Sequence, residues 1–257
     1  TDFIFSKTKN EITDLKSHAN VLSLISGNGF GREGYPVRGL FSIPFAGLTE
    51  DGLPTFINQD GQKTISSFNF QEYEKLDFLK YEGPTDPTIT GSFGNILTYK
   101  NLKLNVFVTY SFGNVIRLDP VFSNAYSDLD AMPKEFKNRW MKAGDENVTN
   151  IPTIVSTRMN QQYAYLNMAY NAYNYSDVRI ADGGFIRLKE ISLSYDLPAK
   201  VINFFRLNKL QLKLQATNLC LLYADSKLNG QDPEFFRSGG VSTPVPKQFT
   251  FTVRLGL

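Results

Sequence analysis

Covalent chemistry needs reactive side chains within reach of one another, and this sequence offers few. Among its 257 residues there is one histidine, His18, and one cysteine, Cys220. A lone histidine excludes a multi-histidine metal site. A lone cysteine excludes an internal disulfide and leaves the redox compartment open. Cys220 shares strand parity with Leu222, which suits a small apolar filler better than a nucleophile. No serine sits in a nucleophile elbow, and no second histidine is available as a base. Gly29, Gly31 and Gly34 spell a formal G-x-G-x-x-G, but Tyr35-Pro36 follows where a dinucleotide site needs a helix, so a glycine loop is the reading. Asn147-Val148-Thr149 and Asn174-Tyr175-Ser176 match the glycosylation pattern, which is short enough to arise by chance. The expectation is a protein without catalytic residues, cofactor or metal, and not an enzyme.

Two stretches suit binding instead. Residues 161–177, QQYAYLNMAYNAYNYSD, interleave Tyr163, Tyr165, Tyr170, Tyr173 and Tyr175 with Asn167, Asn171 and Asn174. Tyrosine offers a flat apolar face with a hydroxyl, and asparagine both a donor and an acceptor. That pairing suits contact with a sugar or a peptide backbone, and equally suits packing of a long loop against its neighbours or a partner. Residues 229–240, NGQDPEFFRSGG, read as an ordered turn. Gly230 permits an unusual backbone angle, Asp232-Pro233 initiates the turn and Glu234 is placed to cap it. Asp232 and Glu234 alone supply too few oxygens for calcium.

The elements that must carry these stretches are strands. Aromatic residues make up 14% of the chain, a content that favours sheet. Strands are expected near 1–13, 36–48, 91–100, 102–112, 184–197, 209–222 and 248–257, several alternating cleanly between apolar and polar residues. Lys100-Asn101 makes a tight turn between two of them. A short helix or two, broken at Pro133, fits 127–144. Short connections (100–101 and 198–208) alternate with long ones (113–182 and 223–246), as in an up-and-down barrel with one plain and one elaborate end. In 184–197 the apolar parity switches: Ile186 and Leu188 precede Lys189-Glu190, and Ile191, Leu193, Tyr195 and Leu197 follow. A β-bulge at Lys189-Glu190 accounts for the switch. A net charge of +2 implies neither nucleic acid nor an acidic membrane surface as partner. No apolar run reaches the length of a membrane helix, which does not bear on barrel strands.

Several motifs, in order along nearly the whole chain, resemble the SusC/RagA family of TonB-linked outer-membrane transporters. ADGGFIRLKEISLSYDLP (181–198) looks like the family's late strand. GYPVRGLFSIPFAGLTEDGLPTFINQDG (34–61) resembles the entry to and exit from an extracellular excursion. YEGPTDPTITGSFGNILTYKNLKLNVFVTYSFGN (81–114) resembles the GPTDP hairpin, NRWMKAGDENVTNIP (138–152) the RW…GDE…IP loop, and ATNLCLLYADSKLNGQDPE (216–234) the strand and loop ending in DPE.

The resemblance implies an all-β chain: C-terminal strands and long extracellular loops of a large, 22-stranded transmembrane β-barrel whose plug domain is not in this chain. It further implies TonB-dependent, SusC-like import of oligomeric nutrients, glycan or peptide, across the outer membrane. The implied partners are the plug-bearing remainder of the transporter, TonB through that remainder, a SusD-like surface lipoprotein, and outer-membrane lipid. On this reading Ile191, Leu193, Tyr195 and Leu197 face lipid, Ser192, Ser194 and Asp196 face the lumen, and Arg187, Lys189 and Glu190 lie near the extracellular rim. The end at Gly256-Leu257 departs from the family's usual terminal aromatic. Three competing readings are a soluble carbohydrate-binding β-sandwich module, a TonB-dependent receptor for an iron chelate, and an outer-membrane scaffold that keeps the barrel and has lost import.

Overall fold

The computed structural model describes residues 1–27, 31–120, 122–123, 129, 132, 134–204, 207–236 and 245–256. In chain order the elements are β1 (Asp2–Lys7), α1 (Val21–Ser26), β2 (Gly39–Ser42), β3 (Phe45–Leu48), β4 (Pro54–Ile57), β5 (Lys63–Thr64), β6 (Lys80–Pro84), β7 (Ile89–Tyr99), β8 (Leu102–Phe112), β9 (Val115–Arg117), α2 (Thr157–Gln162), α3 (Leu166–Asn174), β10 (Ile180–Asp182), β11 (Phe185–Asp196), α4 (Ala199–Phe204), β12 (Lys209–Ala224) and β13 (Gln248–Gly256). No helix among the described residues is long and apolar enough to cross a membrane. The chain divides into two units: Thr1–Thr8, Pro87–Gly113 and Asp182–Leu257 form one, Lys9–Asp86 and Asn114–Ala181 the other.

The first unit is a six-stranded antiparallel meander in the order β1-β7-β8-β11-β12-β13. Lys100, at φ 52°, closes the β7–β8 hairpin as expected. The Asn101 side chain donates to the Asp196 carbonyl at 2.9 Å, tying the turn to the end of β11. Gly91 shows why a glycine sits mid-strand. It pairs with Tyr110, whose hydroxyl donates to the Ile4 carbonyl at 2.9 Å across it. A Cβ at Gly91 would stand 2.1 Å from that carbonyl oxygen.

The bulge expected in β11 is present. Leu188 pairs with Val108 and Glu190 with Phe107, leaving Lys189 as the extra residue. On the other side Leu188 pairs with Cys220 and Glu190 with Thr217, so β12 is irregular at Asn218-Leu219, where Asn218 takes φ 54°. The inserted residue changes parity without changing face. Ile186 and Leu188 before it share a face with Ile191, Leu193 and Tyr195 after it.

The second unit has its own core, and several expectations are corrected. The strand expected over 36–48 is two short ones, β2 and β3, neither in the large sheet. β2 pairs β6, and β3 pairs β4. The cause is Pro44 between them and the wholly buried run Gly39–Ser42, which has no solvent face to alternate with. Nor is the strand expected near 1–13 that long, since β1 ends at Lys7. The long segment 113–182 is not a plain loop. It contributes α2, α3, β9 and β10, and buries Leu166, Ala169, Tyr170 and Tyr173 in a core with Leu24, Ile25, Phe41, Ile43, Leu53 and Phe56. Of the stretch 127–144 expected to hold a helix, the described part from 134 onward forms a 3-10 turn at Lys134–Asn138, followed by another at Asp145–Asn147, while most of 127–133 lies outside the described residues. Pro133, Gly29 and Leu257 lie outside the described residues. After Gly34 no helix begins, so the glycine-loop reading stands against the dinucleotide one.

Candidate functional site

Cross-strand register sorts the large sheet into two chemically distinct faces. One carries rows such as Leu97, Leu104, Leu193, Leu214 and Phe251, and Tyr99, Leu102, Tyr195, Leu212 and Val253. Further along, Phe93, Val108 and Leu188 continue it, then Tyr110, Ile186 and Tyr223. These side chains are not covered: Leu97 and Leu214 are each 59% exposed and Phe251 is 61% exposed. The opposite face carries Asn105, Ser192, Gln215 and Thr250 in one row and Lys103, Ser194, Lys213 and Thr252 in the next. Its groups hydrogen-bond to each other. Asn105 donates to Glu190 at 3.1 Å, and Gln211 donates to Asp196 at 2.9 Å. Of the four residues expected to face lipid, Ile191, Leu193 and Tyr195 lie on the apolar face. Leu197 lies just past β11, its amide bonded to the Leu210 carbonyl at 3.0 Å. Cys220 pairs with Leu188 on that face and is exposed, so it fills no interior gap.

The DPE segment is ordered, through contacts the sequence did not reveal. Asp232 is the cap, accepting from the Glu234 amide at 3.1 Å, and Glu234 is free to reach elsewhere. Both carboxylates converge on Arg187, a residue of β11 that is 5% exposed. Its Nη2 lies 2.6 and 2.7 Å from the two Asp232 oxygens and 3.0 Å from Glu234 Oε2. Pro233 starts the 3-10 turn Pro233–Phe235, and Gly230 takes φ 87° before it. A cleft of about 610 Å³ lies between this segment and β12, lined by Arg187, Asn218, Tyr223, Asp225, Gln231 and Lys247 among others.

The tyrosine-rich stretch does not form one surface. Leu166, Ala169, Tyr170 and Tyr173 recur at helical spacing, so α3 turns them into the core. Tyr170 is 1% exposed and its hydroxyl donates to the Thr153 carbonyl at 2.6 Å. Tyr173 is buried between Phe45 and Phe122. Neither is available to a ligand, which corrects that part of the expectation. Tyr175 is half-buried beneath the Arg117 guanidinium. Asn174, in the sequon, is buried and exchanges hydrogen bonds with the Phe122 backbone. Tyr165, Asn167 and Asn171 remain on the surface. Tyr163 donates to Asp51 at 2.8 Å, and this bond to a carboxylate holds its phenol above the usual range.

The other motifs are self-bracing turns. In the RW…GDE…IP segment, Glu146 Oε2 accepts from the Trp140 indole at 3.0 Å and from the Gly144 amide at 2.8 Å, and the indole bond lowers its carboxyl. Trp140 lies on Gly52, where a Cβ would come within 2.4 Å of the ring. In GPTDP, Thr85 bonds back to the Arg38 carbonyl at 2.9 Å and Asp86 pairs with the Arg38 guanidinium at 2.8 Å. Lys80 stands between two carboxylates, 3.5 Å from Glu82 and 3.3 Å from Asp177. Burial opposes its charge, but the two acids outweigh it and raise its pKa. Glu82 is pushed up, first by burial, with Asp177 adding to it against the single lysine. Among the described residues no group of His, Cys, Asp and Glu is placed to hold a metal ion.

No protein-family model matches the chain. The curated TonB-dependent receptor P3 of Formosa agariphila is 24% identical over 91% of this chain and 23% of the receptor. The RagAB peptide importer in its open-open state matches with a TM-score of 0.66 at 20% identity, over 99% of this chain and 26% of that chain. The chain is SusC/RagA-like. The structure of the RagAB peptide transporter matches as well, with a TM-score of 0.60 at 22% identity over 88% of this chain. The SusC/RagA-like chain spans about a quarter of the length of these proteins, 23 to 26%.

Proposed function

We propose that this chain supplies barrel wall and extracellular loops to a TonB-dependent importer of the outer membrane. The observation that carries the reading is the uncovered apolar face running unbroken across six antiparallel strands, kept in phase by the bulge at Lys189, with a polar face behind it. A soluble sandwich would bury that face under a second sheet, which its exposure argues against. The dimensions fit a bilayer. β8 has 11 residues, and its roughly 34 Å at about 3.4 Å per residue becomes roughly 26 Å at a tilt of about 40°, against an apolar band of about 25 Å in such barrels. Tyrosines flank the band, Tyr99 and Tyr195 at the short-turn end and Tyr110 and Tyr223 at the other, as interfacial girdles do.

In the complete protein the strands close with others into a barrel of 22 strands around a plug carried elsewhere. TonB acts through that plug, and a SusD-like lipoprotein covers the extracellular side. The polar face lines the lumen and Ile191, Leu193 and Tyr195 meet lipid. Likeness to the RagAB peptide transporter favours an oligomeric nutrient, peptide or glycan, over an iron chelate. Tyr163, Tyr165, Asn167 and Asn171 are the members of the tyrosine-rich stretch left to meet cargo or lid.

The test is Leu193→Arg in the full-length transporter, with Ser194→Arg on the polar face as control. An arginine facing lipid near the midplane costs roughly 2–4 kcal/mol. We expect Leu193→Arg to deplete heat-modifiable barrel from the outer membrane while Ser194→Arg leaves it in place. Equal, normal levels of both would sink the lipid-facing assignment.

A further inference from the structure

Arg187 sits on the polar face, in register with Thr109 on β8 and Leu221 on β12. Its carboxylate partner Asp232 comes from the connection that follows β12. For Asp232 to reach it, that connection must turn back over β12 on the polar side instead of projecting from the end of the strand. Two further bonds fix its course. The Asp182 amide, just before β11, donates to Asp225 at 2.8 Å, and Asp225 also caps the 3-10 turn Ser226–Leu228. The fastening is buried: the Arg187 and Asp232 side chains are 6% and 7% exposed. Removing one member of a buried charge pair by substitution is costly, because the remaining charge stays desolvated. In this structure the segment is thus fastened to the wall at both Asp225 and Asp232.

We infer that residues 225–236 form a fixed constriction of the lumen, pinned to the barrel wall by Arg187, and that they set the size of what passes along the polar face. The inference rests on the reading of that face as lumen. Arg187 acts here as a positioning residue. The Lys189 bulge follows directly after it, so the strand changes its local twist at the point where the loop is attached.

Asp232→Asn is the informative variant, because asparagine keeps the capping oxygen for the Glu234 amide and loses the charge pair. It is made in the full-length transporter together with Cys220→Ala and, on the polar face, Thr109→Cys. The readouts are hydrogen exchange over residues 225–236 in the purified protein, and reaction of the new thiol on whole cells with a small and a polyethylene-glycol-bearing methanethiosulfonate. We expect Asp232→Asn to speed exchange over 225–236 at least tenfold, with β11 and β12 beyond the bulge unchanged. We expect the bulky reagent to react at least tenfold faster, and the small one nearly as before. The apolar pair Arg187→Met with Asp232→Leu, which leaves no buried charge, should restore both. Unchanged exchange would show that Arg187 does not pin the segment. Faster exchange with the bulky reagent still excluded would show that the segment does not constrict the lumen. Failure of the wall reading shows separately, as normal assembly of Leu193→Arg.

Discussion

At the scale of single residues, close approach and burial decide what is tolerated. Gly91 is present because the Ile4 carbonyl and the Tyr110 ring occupy the space a side chain would fill. We expect Gly91→Ala to cost about 1–3 kcal/mol, as overpacking does, read as a lowered temperature for loss of heat-modifiable barrel. Gly52 carries two constraints, φ 76° and the Trp140 ring against its Cα. Gly52→Ala should lower protection of 138–152 from proteolysis, and a full-strength digestion barrier in that variant would contradict the packing described. Glu82 gives a pH dependence. Its folded pKa lies above 4.5 because burial disfavours the charge, so between that value and the folded pKa the folded state holds more protons than the unfolded one. Stability then falls as pH rises through the window above 4.5. We expect Glu82→Gln to flatten this part of the stability–pH curve, and an unchanged slope would remove Glu82 as its source.

At the scale of elements, periodicity converts sequence into faces. Along α3 the cost of substitution should follow the helical repeat. Tyr170→Phe leaves the Thr153 carbonyl without its 2.6 Å partner and should cost about 1 kcal/mol. Asn167→Ala, on the exposed side, should stay within about 0.5 kcal/mol. Denaturant midpoints of the two variants check this, and equal costs would mean that α3 does not pack as described. The spacing of Leu166, Ala169, Tyr170 and Tyr173 was legible in the sequence as a helix signal. The abundance of Tyr and Asn suggested a contact loop instead, since composition says what a surface offers and not which residues are at the surface. The strands of the large sheet were legible because alternation records a two-faced environment directly. β2 and β3 were not, because an element buried on both sides has no such record. Arg187 gave only the sign of its charge: its partners lie 45 residues away in the case of Asp232, and nothing local marks that distance.

At the scale of the whole molecule, the two units follow different physics. The sheet unit leaves a large apolar face uncovered, while the other buries Phe41, Ile43, Leu53 and Phe56 completely, to within 1%. Purified without detergent or lipid, the complete transporter should aggregate through the sheet face. In mild detergent it should remain dispersed and bring a lipoprotein with it. Mass spectrometry of the extracted complex checks for the lipoprotein, and recovery of a dispersed protein from the soluble fraction would overturn the wall reading. The sequence alone determined that the chain is mostly strand, the hairpin at Lys100-Asn101, the bulge at Lys189 and the two chemical faces, because each is written in neighbours a few residues apart. Only the tertiary structure decided that the long connections between β1 and β7 and between β8 and β11 build one packed core, that two of the candidate tyrosines lie inside it, and that Asp232 is held by Arg187. Those outcomes depend on contacts between residues distant in sequence, where burial and charge pairing choose among arrangements that local pattern leaves equal.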